Sequence, residues 1–196
     1  MTEQPLEERV YFFDRQEIVV PDFPAQGRIL DIGGGGEGVI GLLKGLQAVA
    51  IDLNQSELQE APEGASKVVM DARQLGFPAD SFGAATAFFA LMYLDSRETI
   101  QQVFAETFRT LTPGGRFLIW DLQVQERQDV PQDIYAIRLS IQVAGKRVET
   151  GYGQLWPRRP RNAALYTDLA KASGFALDDQ WQDGRVFFLR LRKPAA

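Results

Sequence analysis

Two residue types are missing altogether from these 196 residues: cysteine and histidine. Without cysteine there is no disulfide framework, no thiolate nucleophile and no Cys-ligated zinc. Without histidine the chain also lacks the side chain that most often serves as a general base near neutral pH and as a metal ligand. Carboxylates alone can hold a metal, but no close cluster of them points to one, and no metal is expected. Long apolar runs are absent too. No stretch of 18 such residues occurs, so no membrane span is expected, and the opening MTEQPLEERV is acidic and polar, unlike a signal peptide. A cytoplasmic address is the expectation. Positive charge is in short supply: 21 Lys and Arg stand against 26 Asp and Glu, a net charge of −5. A broad grip on nucleic acid, which needs many basic residues on phosphates, is therefore not expected. The length suits one domain over residues 1–196 with a core of its own, and its oligomeric state is left open.

What the sequence does have is a concentration of glycine. Residues 29–38 read ILDIGGGGEG, an apolar run holding one acid and followed by five glycines in six positions. Glycine is used where backbone takes positive φ or where a ligand must touch the main chain, and each one costs conformational entropy on folding. Val39, Ile40, Leu42, Leu43 and Leu46 follow at helical spacing, so the pattern reads as strand, glycine loop, helix, and implies a nucleotide-type cofactor seated on the loop. Gly33, Gly35 and Gly38 also satisfy GxGxxG, the fingerprint of a dinucleotide site. The charge beside them argues otherwise. Asp31 precedes the first glycine, where a pyrophosphate would be repelled, whereas the ammonium and sulfonium of S-adenosylmethionine would be attracted.

At this point the chain resembles the class I S-adenosylmethionine-dependent methyltransferases, in particular their small single-domain members. Asp31, Gly33 and Gly35 match the first motif. Asp52, closing the apolar run from Ala48, matches the acid that grips the ribose hydroxyls, with Leu53 beside it. Asp71 and Ala72 follow a third run, where the family places an acid toward the adenine amino group. Phe77, Pro78, Asp80, Ser81 and Phe82 resemble its FPDNSFD stretch, and Leu111 to Gly115 its LKPGG turn. The pattern is broken at Glu37, which stands where a third alternating glycine is expected, and at Met92 and Tyr93, which replace a frequent histidine pair. The resemblance implies a Rossmann-like α/β fold, S-adenosylmethionine as cofactor, and cofactor contacts from Asp31, Gly33, Gly35, Asp52, Leu53, Asp71, Ala72 and Phe88.

Periodicity supports that architecture. Strands are expected at 28–32, 47–52, 66–70, 82–89, 116–122, 176–181 and 185–191. Helices are expected at 96–111, with Asp95 and Glu98 as a capping box, and at about 162–173, stopped by Gly174. The result is a doubly wound, mainly parallel seven-stranded sheet whose C-terminal strand is antiparallel. Alternation from Ile134 to Val143, a turn at Ala144 to Lys146 and a return to Leu155 predict an inserted hairpin at about 134–155, either walling a substrate pocket or merely extending an edge. Methyl transfer needs orientation first and a base only if the acceptor keeps its proton. Tyr93 and Asp121 are the candidates for that role, with Tyr11 and Tyr152 more remote. Tyr93 has packing, and Asp121 loop capping, as the alternative. Phe12 and Phe13 are candidates to close over the cofactor, with core anchoring as the alternative. Arg158, Arg159 and Arg161 form either a solvated loop or a lip for an anionic substrate. The expected function is methyl transfer to a small molecule, the alternative a non-catalytic S-adenosylmethionine-binding sensor or partner subunit.

Overall fold

The computed structural model describes residues 6–125, 127 and 129–195. The first five residues of the acidic N-terminus and two positions of the polar run 123–133 lie outside the described residues. The elements follow in the order β1 Val10–Phe12, β2 Gln16–Val20, β3 Ile29–Ile32, α1 Val39–Lys44, β4 Ala48–Asp52, α2 Gln55–Glu60, β5 Ser66–Val69, β6 Phe82–Phe88, α3 Arg97–Thr110, β7 Leu111–Leu122, β8 Ile134–Val143, β9 Lys146–Leu155, α4 Ala163–Ala172, β10 Ala176–Asp183 and β11 Val186–Arg192.

Seven strands form the main sheet in the order β10-β11-β7-β6-β3-β4-β5. The pairs from β7 to β5 are parallel, while β11 runs antiparallel to both β7 and β10. Chain order reverses between β3 and β6: successive strands first step outward to β4 and β5, then return to the other side of β3. Open sheets of this kind leave a crevice at the carboxyl ends of the strands where the order reverses. The glycine loop leaves β3 at that crevice, and the residues after β6 enter it from the other side.

Helix ends show which local signals prevailed. Helix α3 is capped by Ser96, whose hydroxyl accepts from the Thr99 amide at 3.1 Å. The expected cap, Asp95, instead accepts from the Thr99 hydroxyl. Ser96 lies one residue nearer the helix, so its shorter side chain meets the free first-turn amide. Helix α4 is capped by Asn162, which accepts from the Leu165 amide at 2.8 Å, and Gly174, at φ 97°, lets the chain turn away after it.

The main sheet is covered on both faces. Helices α3 and α4 bury Phe104, Val103, Tyr166 and Leu169 against Leu30, Ile119, Phe117 and Phe187. The other face meets a small second sheet in which β1 and β2 pair in parallel along one edge of β8 while β9 pairs antiparallel along the other. Tyr135, Ile137, Leu139, Ile141 and Val143 point from β8 into the core with Ile29, Leu118, Trp120 and Phe188. Full burial of such a side chain contributes roughly 1.5–3 kcal/mol before entropy, so the hairpin is an integral part of the core. The β8–β9 turn has positive φ at both Ala144 (49°) and Gly145 (73°), as a two-residue hairpin turn of the I′ type requires.

The N-terminal aromatics belong to this second layer. Phe13 is buried and packs edge-on against Trp156 at 5.8 Å. Phe12 faces outward under the Arg138 guanidinium, and Tyr11 lies against Trp156. Of the two readings for this pair, Phe13 is a core anchor, and neither ring reaches the cleft, because strand pairing with β8 fixes which way they point.

Candidate active site

A cleft of about 760 Å³ opens at the carboxyl edge of the sheet. Its floor is the glycine loop, and backbone hydrogen bonds fix that loop's shape. The amides of Gly33 and Gly34 donate to the Ile51 carbonyl at 2.8 and 3.1 Å, and that of Gly36 donates to the Glu57 carbonyl at 2.8 Å. Two glycines are required by their surroundings. Gly33 has φ 68°, and a Cβ there would lie 2.4 Å from the Ala90 Cβ; at Gly34 a Cβ would lie 2.4 Å from Asp31 Oδ2. Among the described residues the amides of Gly35 and Glu37 are left without a hydrogen-bond partner, and both residues line the cleft.

Carboxylates ring this floor. Asp31 is 2% exposed, stands opposite Thr86 in the strand register and accepts from its hydroxyl at 2.8 Å. Burial raises its pKa to about 7 against the Thr86 hydrogen bond, and the nearby Asp52 charge adds to the rise. Asp52 ends β4 and accepts the Asn54 amide at 2.8 Å. Asp71 is held by Arg73, whose Nε and Nη2 bind both of its oxygens, an arrangement that lowers the Asp71 pKa. Leu53, Ala72 and Phe88 line the same cleft.

The far side of the cleft is aromatic and comes partly from the hairpin. Phe89, at positive φ (50°), stacks on Tyr152 of β9 with centroids 4.8 Å apart and planes 4° off parallel. The Tyr152 hydroxyl donates to Glu37 at 2.9 Å, and the Thr150 hydroxyl binds the same carboxylate. Glu37 thus ties the glycine loop to the hairpin. Its place in the sequence, as an acid interrupting glycines, was the available signal; its partners, more than 110 residues away, were not readable. Tyr93, at the end of a 3-10 turn over Leu91–Tyr93, also lines the cleft and is 46% exposed. Burial around its phenol raises the pKa above the ordinary tyrosine value, partly offset by the Gly153 backbone, with the charges of Asp121, Glu37 and Glu57 adding to the rise.

Every cofactor candidate named from the sequence therefore lines one cleft, together with Tyr93. The remaining three candidates do not. Asp121 is fully buried beneath the cleft, where it accepts from its neighbouring Leu122 amide at 2.7 Å and from the Tyr166 hydroxyl at 2.9 Å. Burial raises its pKa to about 7 despite those bonds and the nearby Arg161 charge. Arg158 and Arg159 are exposed and stand outside the cleft lining. The third arginine of that patch, Arg161, turns inward and donates to the Leu94 carbonyl, which braces the Tyr93 turn.

Residues 30–119 match a family described as a methyltransferase domain. The segment that matches includes the glycine loop, Asp52, Asp71 and the Tyr93 turn, and it ends before the hairpin. The chain is 36% identical over 87 residues to the mitochondrial 2-methoxy-6-polyprenyl-1,4-benzoquinol methylase of Xenopus laevis, a match that spans 40% of this chain and 27% of that protein. At the level of fold it is similar to a SAM-dependent methyltransferase of Methanosarcina mazei, with a TM-score of 0.61 at 15% identity over 89% of this chain and 95% of the other. It is similar also to an S-adenosylmethionine-dependent methyltransferase of Mesorhizobium loti, with a TM-score of 0.59 at 18% identity over 87% and 93% of the two chains. The methyltransferase-domain match and these two neighbours together point to S-adenosylmethionine as the cofactor.

Proposed function

We propose that this chain transfers a methyl group from S-adenosylmethionine to a small molecule entering between the Tyr93 turn and the hairpin. The observation that carries this reading is a single cleft joining the acidic glycine-loop floor to an aromatic wall. The residues present suit the cofactor. Among the described residues Arg73 is the one Lys or Arg in the lining, and it is already paired with Asp71, so a pyrophosphate would meet mainly repulsion. Cationic and hydroxyl-bearing groups would find Asp31, Asp52 and the free amides of Gly35 and Glu37. Bound there, S-adenosylmethionine would supply an electrophilic methyl group activated by its sulfonium.

The protein's own contribution is orientation and exclusion of water. The stacked Phe89 and Tyr152 rings and the Gly151 backbone close one side of the cleft, which favours near-attack geometry over hydrolysis. The Tyr93 phenol, which lines the cleft and whose pKa is raised by burial, is placed to hydrogen-bond the acceptor. Asp121, sealed under the turn, supports Tyr93 from below. Incubating the chain with S-adenosylmethionine and a panel of small amines, alcohols and thiols, with S-adenosylhomocysteine as the readout, tests the proposal. Acceptor-dependent product is the expected result, and cofactor binding without turnover on any acceptor would favour the sensor.

A further inference from the structure

The charge of the acceptor is written into the wall that would face it, and this inference rests on the methyl-transfer reading above. Phe88, Phe89, Tyr93 and Tyr152 line the cleft, with Tyr93 46% exposed and the two phenylalanines buried, and the Tyr152 hydroxyl donates to the Glu37 carboxylate. The face of an exposed ring such as that of Tyr93 attracts cations. Glu37 is fixed by Thr150 and Tyr152, so its charge is held at the wall instead of swinging into solvent. No lysine lines the cleft among the described residues, and its one arginine is engaged by Asp71. The arginines that would suit an anionic substrate, Arg158 and Arg159, stand outside it.

We infer that the methyl acceptor is an amine whose nitrogen sits against the aromatic wall, with Glu37 as the residue that selects for its positive charge. The bound ammonium first releases one proton to solvent; the freed nitrogen lone pair then forms the new N–C bond as the C–S electron pair returns to sulfur. Positive charge thus passes from sulfonium to nitrogen, and the methylated ammonium later gives its proton to solvent. A carboxylate beside the nitrogen stabilises that charge as it develops, an electrostatic effect strengthened where water is excluded. An anionic acceptor would meet the same carboxylate with no cation to offset it.

Calorimetry on the chain saturated with S-adenosylhomocysteine separates the two charges, using benzylammonium and benzoate as probes of one shape. Benzylammonium is expected to bind and benzoate not to. Glu37→Gln keeps an oxygen for one of the two hydroxyls, Thr150 or Tyr152, but removes the charge, and should weaken benzylammonium roughly tenfold, the order expected for a charge-assisted contact. Raising the ionic strength on the unaltered chain should weaken it as well, a check independent of how the variant folds. Substituting Arg158 and Arg159 by alanine should change neither probe. Equal or stronger binding of benzoate, no binding of either probe, or benzylammonium affinity untouched by both Glu37→Gln and salt would overturn the inference. Failure of S-adenosylhomocysteine itself to bind would instead overturn the methyl-transfer reading.

Discussion

At the scale of single residues, the buried acids carry the most consequence. Asp31 holds its proton in the folded chain up to about pH 7, against an ordinary value of 3.8. Between those values the folded state binds more protons than the unfolded one, so stability falls as pH rises through that window. Asp121, raised in the same way, adds an effect of the same sign. A cationic cofactor favours the ionised form of Asp31, so affinity for S-adenosylmethionine should rise with pH up to about 7, by at most about tenfold per pH unit. Asp31→Asn should abolish most of that slope in calorimetry while making the ligand-free protein more stable at alkaline pH. Asp52→Ala removes an acceptor for two hydroxyls. If Asp52 holds the ribose, it should weaken cofactor binding by roughly one to two decades with the melting temperature nearly unchanged. Tyr166→Phe deprives the buried Asp121 of its hydroxyl donor. It should cost about 1–3 kcal/mol in denaturant unfolding, with cofactor affinity unaltered because Tyr166 lies outside the cleft.

At the scale of elements, the hairpin is both core and wall. The inward face of β8 was legible because its alternation is strict: Tyr135, Ile137, Leu139, Ile141 and Val143 are all buried. Its partners were not. Strands β1 and β2 are short, and the aromatic pair Phe12 and Phe13 gives no sign of which face is covered until β8 is in place. Ile137→Ala should cost about 2–5 kcal/mol, as emptying a buried aliphatic site does. The turn offers the opposite change. Ala144 sits at φ 49°, a conformation that Asn or Gly adopts more readily than Ala. Ala144→Asn should therefore stabilise by about 0.5–1 kcal/mol, raising Tm by roughly 1–4 °C, without touching the cleft.

At the scale of the whole molecule, the second sheet, the glycine loop and the Tyr93 turn meet at one edge, and ligand binding there should be felt by the entire fold. Any ligand specific for the native state raises its stability by mass action. S-adenosylmethionine and S-adenosylhomocysteine should each increase Tm, and NAD and NADP should not. A shift with NAD alone would contradict the charge argument built on Asp31.

The sequence by itself determined the alternation of strands and helices and the positions of the acids at strand ends. All of these follow from local period and from breakers such as glycine, which act within a few residues. That is why the spacing of Asp31, Asp52, Asp71 and Phe88 along the chain is enough to bring them to one edge of the sheet. Only the tertiary structure decided what lies opposite them. Pairing of β7 with β11 and the packing of α4 buried Asp121 against Tyr166 instead of opening it to the cleft. The pairing of β9 with β8 carried Tyr152 across to Glu37 and Phe89, and the loop holding Arg158 and Arg159 came to rest outside. Contacts between segments more than a hundred residues apart depend on how the layers pack, and no period along the chain encodes them.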